Sequence, residues 1–115
     1  MSKKLQLGVL ASGSGTNLQS IIDACAAGTI AAEIALVISN NPDAGALKRA
    51  EDAGIPQTCI NHRDFSSRES FDKAVVSALQ EAGVELVCLA GFMRLITADF
   101  LAAFPGRVMN IHPAL

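Results

Sequence analysis

Asn110 and His112, in the run Val-Met-Asn-Ile-His-Pro, are residue types that move protons and hold developing negative charge. Side chains two apart on a strand share a face, so the amide and the imidazole would project together. An imidazole serves as general acid and base near neutral pH, and an amide beside it is a hydrogen-bond donor for a developing oxyanion. A single His at a strand end is more often structural, so the pair needs support from elsewhere in the chain. That support is the run Ala11-Ser-Gly-Ser-Gly-Thr-Asn17, set between an apolar segment at 5–10 and Leu18, Ile21, Ile22 and Cys25 at helical spacing. It reads as strand, glycine loop and helix, with Thr16 or Asn17 as the helix cap. Glycines let backbone turn sharply and approach a ligand, while a helix N-terminus directs N–H groups and partial positive charge at the same place. An anion such as a phosphate is the natural occupant of such a loop, and a tight turn that binds nothing is the other possibility.

Two familiar glycine loops are excluded. A P-loop requires Lys-Ser/Thr after its second Gly, and Gly15 is followed by Thr16 and Asn17. A dinucleotide loop requires a third small residue where Leu18 stands and an acidic residue after the second strand, where the chain reads Ser39-Asn40-Asn41.

The elements that must position these residues follow from hydrophobic periodicity. After the first helix, a second strand is expected over 31–38, a short helix over 44–53 with Gly54 at its stop, and a weaker strand over 55–60 whose Pro56 places it toward a sheet edge. Ser66 with Glu69 looks like a capping box, opening a helix whose apolar positions run from Phe71 to Ala82 at spacings of three and four. The run 84–90 is almost wholly apolar and reads as a central strand; Gly91-Phe-Met-Arg-Leu-Ile96 leaves it, and Thr97 caps a short helix before the strand bearing Asn110. Alternation of strands and helices predicts one α/β domain over residues 1–115, a three-layer Rossmann-like parallel sheet with helices on both faces. Ligands of such sheets gather outside the carboxyl ends of the strands.

Composition narrows the function classes. Half of the 115 residues are hydrophobic, which argues against disorder, and nine basic against eleven acidic residues leave a net charge of −2 with no basic run for a nucleic acid. Cys25, Cys59 and Cys88 are odd in number and widely spaced, and read as small core hydrophobes rather than disulfide partners or metal ligands. No segment approaches the ~18–20 apolar residues of a membrane span, and the cytoplasm is the expected location.

In order, Leu10-Ala-Ser-Gly-Ser-Gly-Thr-Asn-Leu-Gln19, Leu89-Ala-Gly-Phe-Met-Arg94 and Asn110-Ile-His-Pro113 resemble the glycinamide ribonucleotide transformylase (phosphoribosylglycinamide formyltransferase) family of purine biosynthesis, along the whole chain. The resemblance implies that Gly15, Thr16 and Asn17 hold the phosphate of glycinamide ribonucleotide. Arg68 and the segment Met93, Arg94, Leu95 and Ile96 would contact the cosubstrate 10-formyltetrahydrofolate, Asn110 would bond the formyl oxygen, and His112 would carry protons. No metal is implied. Formyltetrahydrofolate deformylase and methionyl-tRNA formyltransferase share parts of the pattern, and the Ser-Gly-Thr-Asn loop favours the ribonucleotide enzyme.

The family continues past the His-Pro motif and supplies an Asp that partners the catalytic His, whereas this sequence stops three residues after His112. The expectation is therefore the N-terminal, ribonucleotide-binding part of a formyltransferase fold with an incomplete catalytic site. A complementing C-terminal segment would make it one part of a split enzyme, and without one it would be a non-catalytic phosphate-binding half-domain. The uncovered sheet edge would favour a homodimer.

Overall fold

The computed structural model describes residues 4–93 and 96–111. Among them, β1 (Leu5–Leu10), β2 (Ala32–Ser39), β3 (Gln57–Cys59), β4 (Leu86–Ala90) and β5 (Val108–Ile111) form one sheet. Its order is β3-β2-β1-β4-β5 and every pairing is parallel. The helices are α1 (Thr16–Ala26), α2 (Gly45–Asp52), α3 (Arg68–Glu81) and α4 (Ala98–Ala103), with a 3-10 turn at His62–Asp64.

A parallel sheet buries both faces, and β1 does so most completely because it lies at the centre. Leu7 and Val9 belong to one core with Leu18 of α1 and Ala46 and Ala50 of α2; Leu10 belongs to the other, with Phe71, Val75 and Leu79 of α3 and Phe100 of α4. The three-layer sandwich expected from the alternation of elements is the one observed. The switch point falls between β1 and β4, since the chain moves outward from β1 to β3 and crosses back through α3.

Gly8 permits that crossing. A Cβ at this position would lie 2.6 Å from Leu79 Cδ2 and 2.9 Å from Val84 Cγ1, so α3 rests on bare backbone here. The β1–β2 register also shifts between Leu7 and Gly8.

The caps differ in part from expectation. Ser67, not Ser66, is the N-cap of α3: its Oγ accepts from the Ser70 N–H at 3.1 Å, and Ser70 Oγ accepts from the Ser67 N–H at 3.4 Å. A serine hydroxyl closes the box, and Glu69 falls one position early, within the exposed first turn. Thr97 does cap α4, accepting from Phe100 N–H at 3.3 Å.

The two edges of the sheet are unlike. β3 is three residues long and follows Pro56, as expected of an edge. At the opposite edge, Met109 is 49% exposed beside an apolar groove of about 310 Å³ that runs between α1 and β5 over Leu5, Leu7, Ile21, Leu86 and Ile111.

Gly8→Val should reduce stability by about 1–3 kcal/mol, because the added methyls must displace Leu79 and Val84. The urea midpoint would fall with the slope unchanged, and an unaltered midpoint would mean that α3 does not rest on β1 this closely.

Candidate active site at the carboxyl edge of the sheet

Register places the three sequence motifs side by side. Leu10 pairs with Leu89, and Leu89 pairs with Asn110, so these residues form one row across β1, β4 and β5. Strands lie ~4.8 Å apart, which puts the chain's exits from β1 and β5 on the order of 10 Å from each other. Ile111 packs on the α1 side and Val108 on the α3 side, so Asn110 faces the α3 side, exposed at the open edge. His112 lies outside the described residues, as do Arg94 and Leu95.

Gly15 opens α1, with φ 82°, and no side chain caps the helix. Neither Thr16 nor Asn17 is the cap, since both already lie within the first turn. The cause is packing: a Cβ on Gly15 would sit 2.7 Å from Ala46 Cα, so the loop is pressed against α2 and a side-chain-bearing cap cannot enter. The first turn carries no acidic residue. The N–H groups that open α1 therefore keep the unpaired donors and partial positive charge that favour an anion.

The loop is braced from α2. Ala46 N–H donates to Gly13 C=O at 3.1 Å, and Arg49 Nε donates to Ser14 C=O at 2.7 Å while its Nη1 donates to Gln19 Oε1 at 3.3 Å. Arg49 adds a fixed cation beside the glycine loop. Nothing in its sequence position, within an ordinary amphipathic helix, marks it for that place.

Ser12 links the loop to its neighbours. Its Oγ accepts from Met93 N–H at 2.8 Å and donates to Asn40 Oδ1 at 2.6 Å, and its own N–H donates to Gly91 C=O at 3.2 Å. With the Asn40 oxygen facing Ser12, its Nδ2 lies 3.3 Å from His62 Nδ1, within hydrogen-bond distance. Ser12 and Asn40 are 8% and 5% exposed, so this polar chain is largely shielded from water. It borders a cleft of about 420 Å³ reached by Asn41, Asp43, Asn61 and Arg63. Asn40 and His62 stand at strand ends where α/β ligands collect, but their contact lies 22 residues apart in the chain and carries no local signal.

The other candidate residues are spread along the same edge. Met93 leaves β4 with its side chain 80% exposed, whereas Ile96 is half-buried against the α3 core. Arg68 is the first residue of α3 and is exposed. Asp72, one turn on, is 4% exposed, and its Oδ2 accepts from both the N–H and the Oγ1–H of Thr97 at 2.8 Å. It stands beside the apolar stripe of α3, where the helical pattern gave no reason to look for a ligand of the next loop.

Burial pushes the thiols of Cys25, Cys59 and Cys88 up from their ordinary value; Cys88 is a core residue and Cys25 packs against the same core, as expected, whereas Cys59 is only half-buried at the short edge strand and belongs to neither core. Among the described residues, no cluster of His, Cys, Asp and Glu is placed to hold a metal ion, and no helix is long and apolar enough to cross a membrane.

Residues 5–115 match the family model described as formyl transferase. The phosphoribosylglycinamide formyltransferase of Haemophilus influenzae is 48% identical over 110 residues, covering 96% of this chain and 52% of that protein. The trifunctional purine biosynthetic protein adenosine-3 of Gallus gallus is 46% identical over 114 residues, covering 99% of this chain and 11% of that protein. The crystal structure of glycinamide ribonucleotide transformylase 1 from Symbiobacterium toebii superposes with a TM-score of 0.93 at 49% identity, over 97% of this chain and 53% of that one. The chain thus spans about half the length of its bacterial relatives.

Two glycines of the loop should respond differently to alanine. Gly15→Ala should cost about 1–2 kcal/mol for the left-handed backbone alone, and more for the collision with Ala46. Gly13→Ala meets nothing within 4 Å and should stay within about 0.5 kcal/mol of the parent in urea denaturation. Equal losses at both positions would contradict the bracing by α2.

Proposed function

The chain belongs to the formyl transferase family, and from that premise we propose that it is the ribonucleotide-binding part of an enzyme that transfers a formyl group from 10-formyltetrahydrofolate to the amine of glycinamide ribonucleotide. The observation that carries this reading is the row Leu10, Leu89, Asn110, which sets the glycine loop, the Gly91-Phe-Met segment and the amide of Asn110 beside one another.

The residues suit the two substrates. The phosphate of the ribonucleotide fits the uncapped N-terminus of α1 at Gly15, Thr16 and Asn17, with the guanidinium of Arg49 fixed close by. A folate offers a flat heteroaromatic ring, for which the exposed Met93 and the apolar Ile96 and Phe92 supply a surface, and glutamate carboxylates, for which the exposed Arg68 supplies a cation. Transfer forms a C–N bond between the ribonucleotide amine and the formyl carbon and breaks the bond from that carbon to the folate nitrogen. In this scheme the amide N–H of Asn110 donates to the formyl oxygen as charge gathers there. His112 takes the proton lost by the attacking amine and delivers it to the departing nitrogen. The relatives' greater length leaves room for groups that complete this site, including a partner that orients the imidazole.

Saturable binding of glycinamide ribonucleotide by calorimetry, weakened by added salt, tests the phosphate site; absence of binding overturns it. Formyl transfer should appear when the chain is combined with the remaining half of a relative as a separate polypeptide. In that mixture Asn110→Ala should lower kcat by about 10²–10³ with little change in ribonucleotide affinity. Full activity in the Asn110→Ala mixture would remove the amide from the mechanism.

A further inference from the structure

Two buried side chains, Ser12 and Asp72, far apart in the sequence, hold the described residues on either side of the segment that leaves β4. At one end, Ser12 Oγ receives the Met93 N–H at 2.8 Å, and Ser12 is itself held by Asn40 at 2.6 Å, with His62 behind it at 3.3 Å. At the other end, Asp72 Oδ2 receives the N–H and the hydroxyl of Thr97, both at 2.8 Å. We propose that Asp72 and Ser12 form a clasp that fixes the apolar surface of Met93 and Ile96 for the folate cosubstrate, and that both are positioning residues for the transfer. The assignment rests on the folate reading above.

The chemistry of the two ends explains why side chains do this work. A segment that leaves a strand has lost its ladder partners, so its N–H groups need acceptors from elsewhere. An ionised carboxylate binds N–H and O–H donors more strongly than a neutral acceptor does, and Asp72 spends one oxygen on two of them. Thr97 is doubly occupied, because its Oγ1 also accepts from Phe100 N–H and so begins α4. The position of α4 and the end of the β4 segment are therefore set by the same carboxylate. Asp72 lies on α3, four residues after Arg68, so the clasp also ties that surface to the helix carrying the candidate folate cation.

Ser12 has a matching double role. It follows the central strand β1 by two residues and immediately precedes Gly13, so a single hydroxyl places Met93 relative to the glycine loop. Its proton is committed to Asn40, which leaves a lone pair for Met93. His62, within hydrogen-bond distance of the Asn40 amide nitrogen, keeps the Asn40 oxygen turned toward Ser12. Loops following β1, β2, β3 and β4 are joined in this way.

The test uses the chain with Asp72→Ala, Asp72→Asn and Ser12→Ala, and reads tetrahydrofolate binding, ribonucleotide binding and hydrogen exchange at the Thr97 and Met93 amides. Asp72→Ala should speed exchange at Thr97 and weaken folate about tenfold, since a loosened surface must be ordered on binding, while ribonucleotide affinity stays within about twofold. Asp72→Asn keeps an oxygen that accepts both Thr97 donors, and should restore folate affinity to within about threefold of the parent and slow exchange again. Ser12→Ala should speed exchange at Met93 with the same loss of folate affinity. Unchanged folate affinity in Asp72→Ala and Ser12→Ala, with the parent binding normally, would overturn the clasp while leaving the folate reading intact. Unchanged exchange at Thr97 in Asp72→Ala would overturn it as well. A parent chain that binds ribonucleotide but no folate would instead overturn the folate reading, and the role of the clasp with it. Equal weakening of both ligands would show general loss of structure and would also count against it.

Discussion

An all-parallel sheet delivers every strand end to the same edge, and the candidate site depends on that constraint. With β1 in the centre and the connections turning back after β3, the exits of β1, β4 and β5 are neighbours in space although they lie far apart in the chain. The apolar interior is the means of holding this edge steady. Leu7 and Val9 bind β1 to α1 and α2, Leu10 binds it to α3 and α4, and the polar residues then begin at once with Ser12. Buried polar groups at the edge are satisfied by one another: among the described residues no buried side-chain donor or acceptor lacks a partner. Such a network resists rearrangement, because leaving any one member unpaired in a dry setting costs about 1–3 kcal/mol.

The site combines two kinds of support. The glycine loop is shaped by backbone, with Gly15 in a left-handed conformation pressed on Ala46 and Arg49 tying down Ser14. The β4 exit is shaped by side chains, with Ser12 and Asp72 supplying acceptors that the strand ladder no longer provides. The first suits a small anion read by N–H groups. The second suits a larger apolar ligand, whose contacts come from Met93 and its neighbours rather than from backbone.

How far the sequence disclosed this arrangement follows from the range of each interaction. The run 84–90 and the spacing from Phe71 to Ala82 are local patterns, and both elements stand where periodicity placed them. The three motifs at 10–19, 89–94 and 110–113 are legible as a family pattern, their described residues come to one edge, and the family is the one the motifs indicate. The caps were harder, because Ser66 and Ser67 are adjacent and either can begin a box; only the geometry selects Ser67 with Ser70. Thr16 and Asn17 were misread as caps because the deciding contact comes from Ala46, thirty residues away. Asp72 and Arg49 are silent as site residues for the same reason, since each acts across the fold, on Thr97 and on Ser14; Asn40 and His62 lie in the strand-end segments 39–41 and 62–65 where the topology directs attention, and only their contacts are hidden.

The central place of β1 also governs how the molecule can be assembled. β1, α1 and β2 are consecutive and can associate as soon as they exist, but the other neighbour of β1 arrives much later: Gln6 N–H bonds Glu85, 79 residues on, and Met93 reaches Ser12 across 81. Closing so long a stretch is entropically costly and slows folding relative to local pairing. A nascent chain released from the ribosome up to β3 would already hold its glycine loop, yet it would lack everything that β4 and β5 contribute. The edge that carries the candidate site is thus a product of long-range pairing, and it forms only when β4 and β5 join β1 rather than accumulating strand by strand.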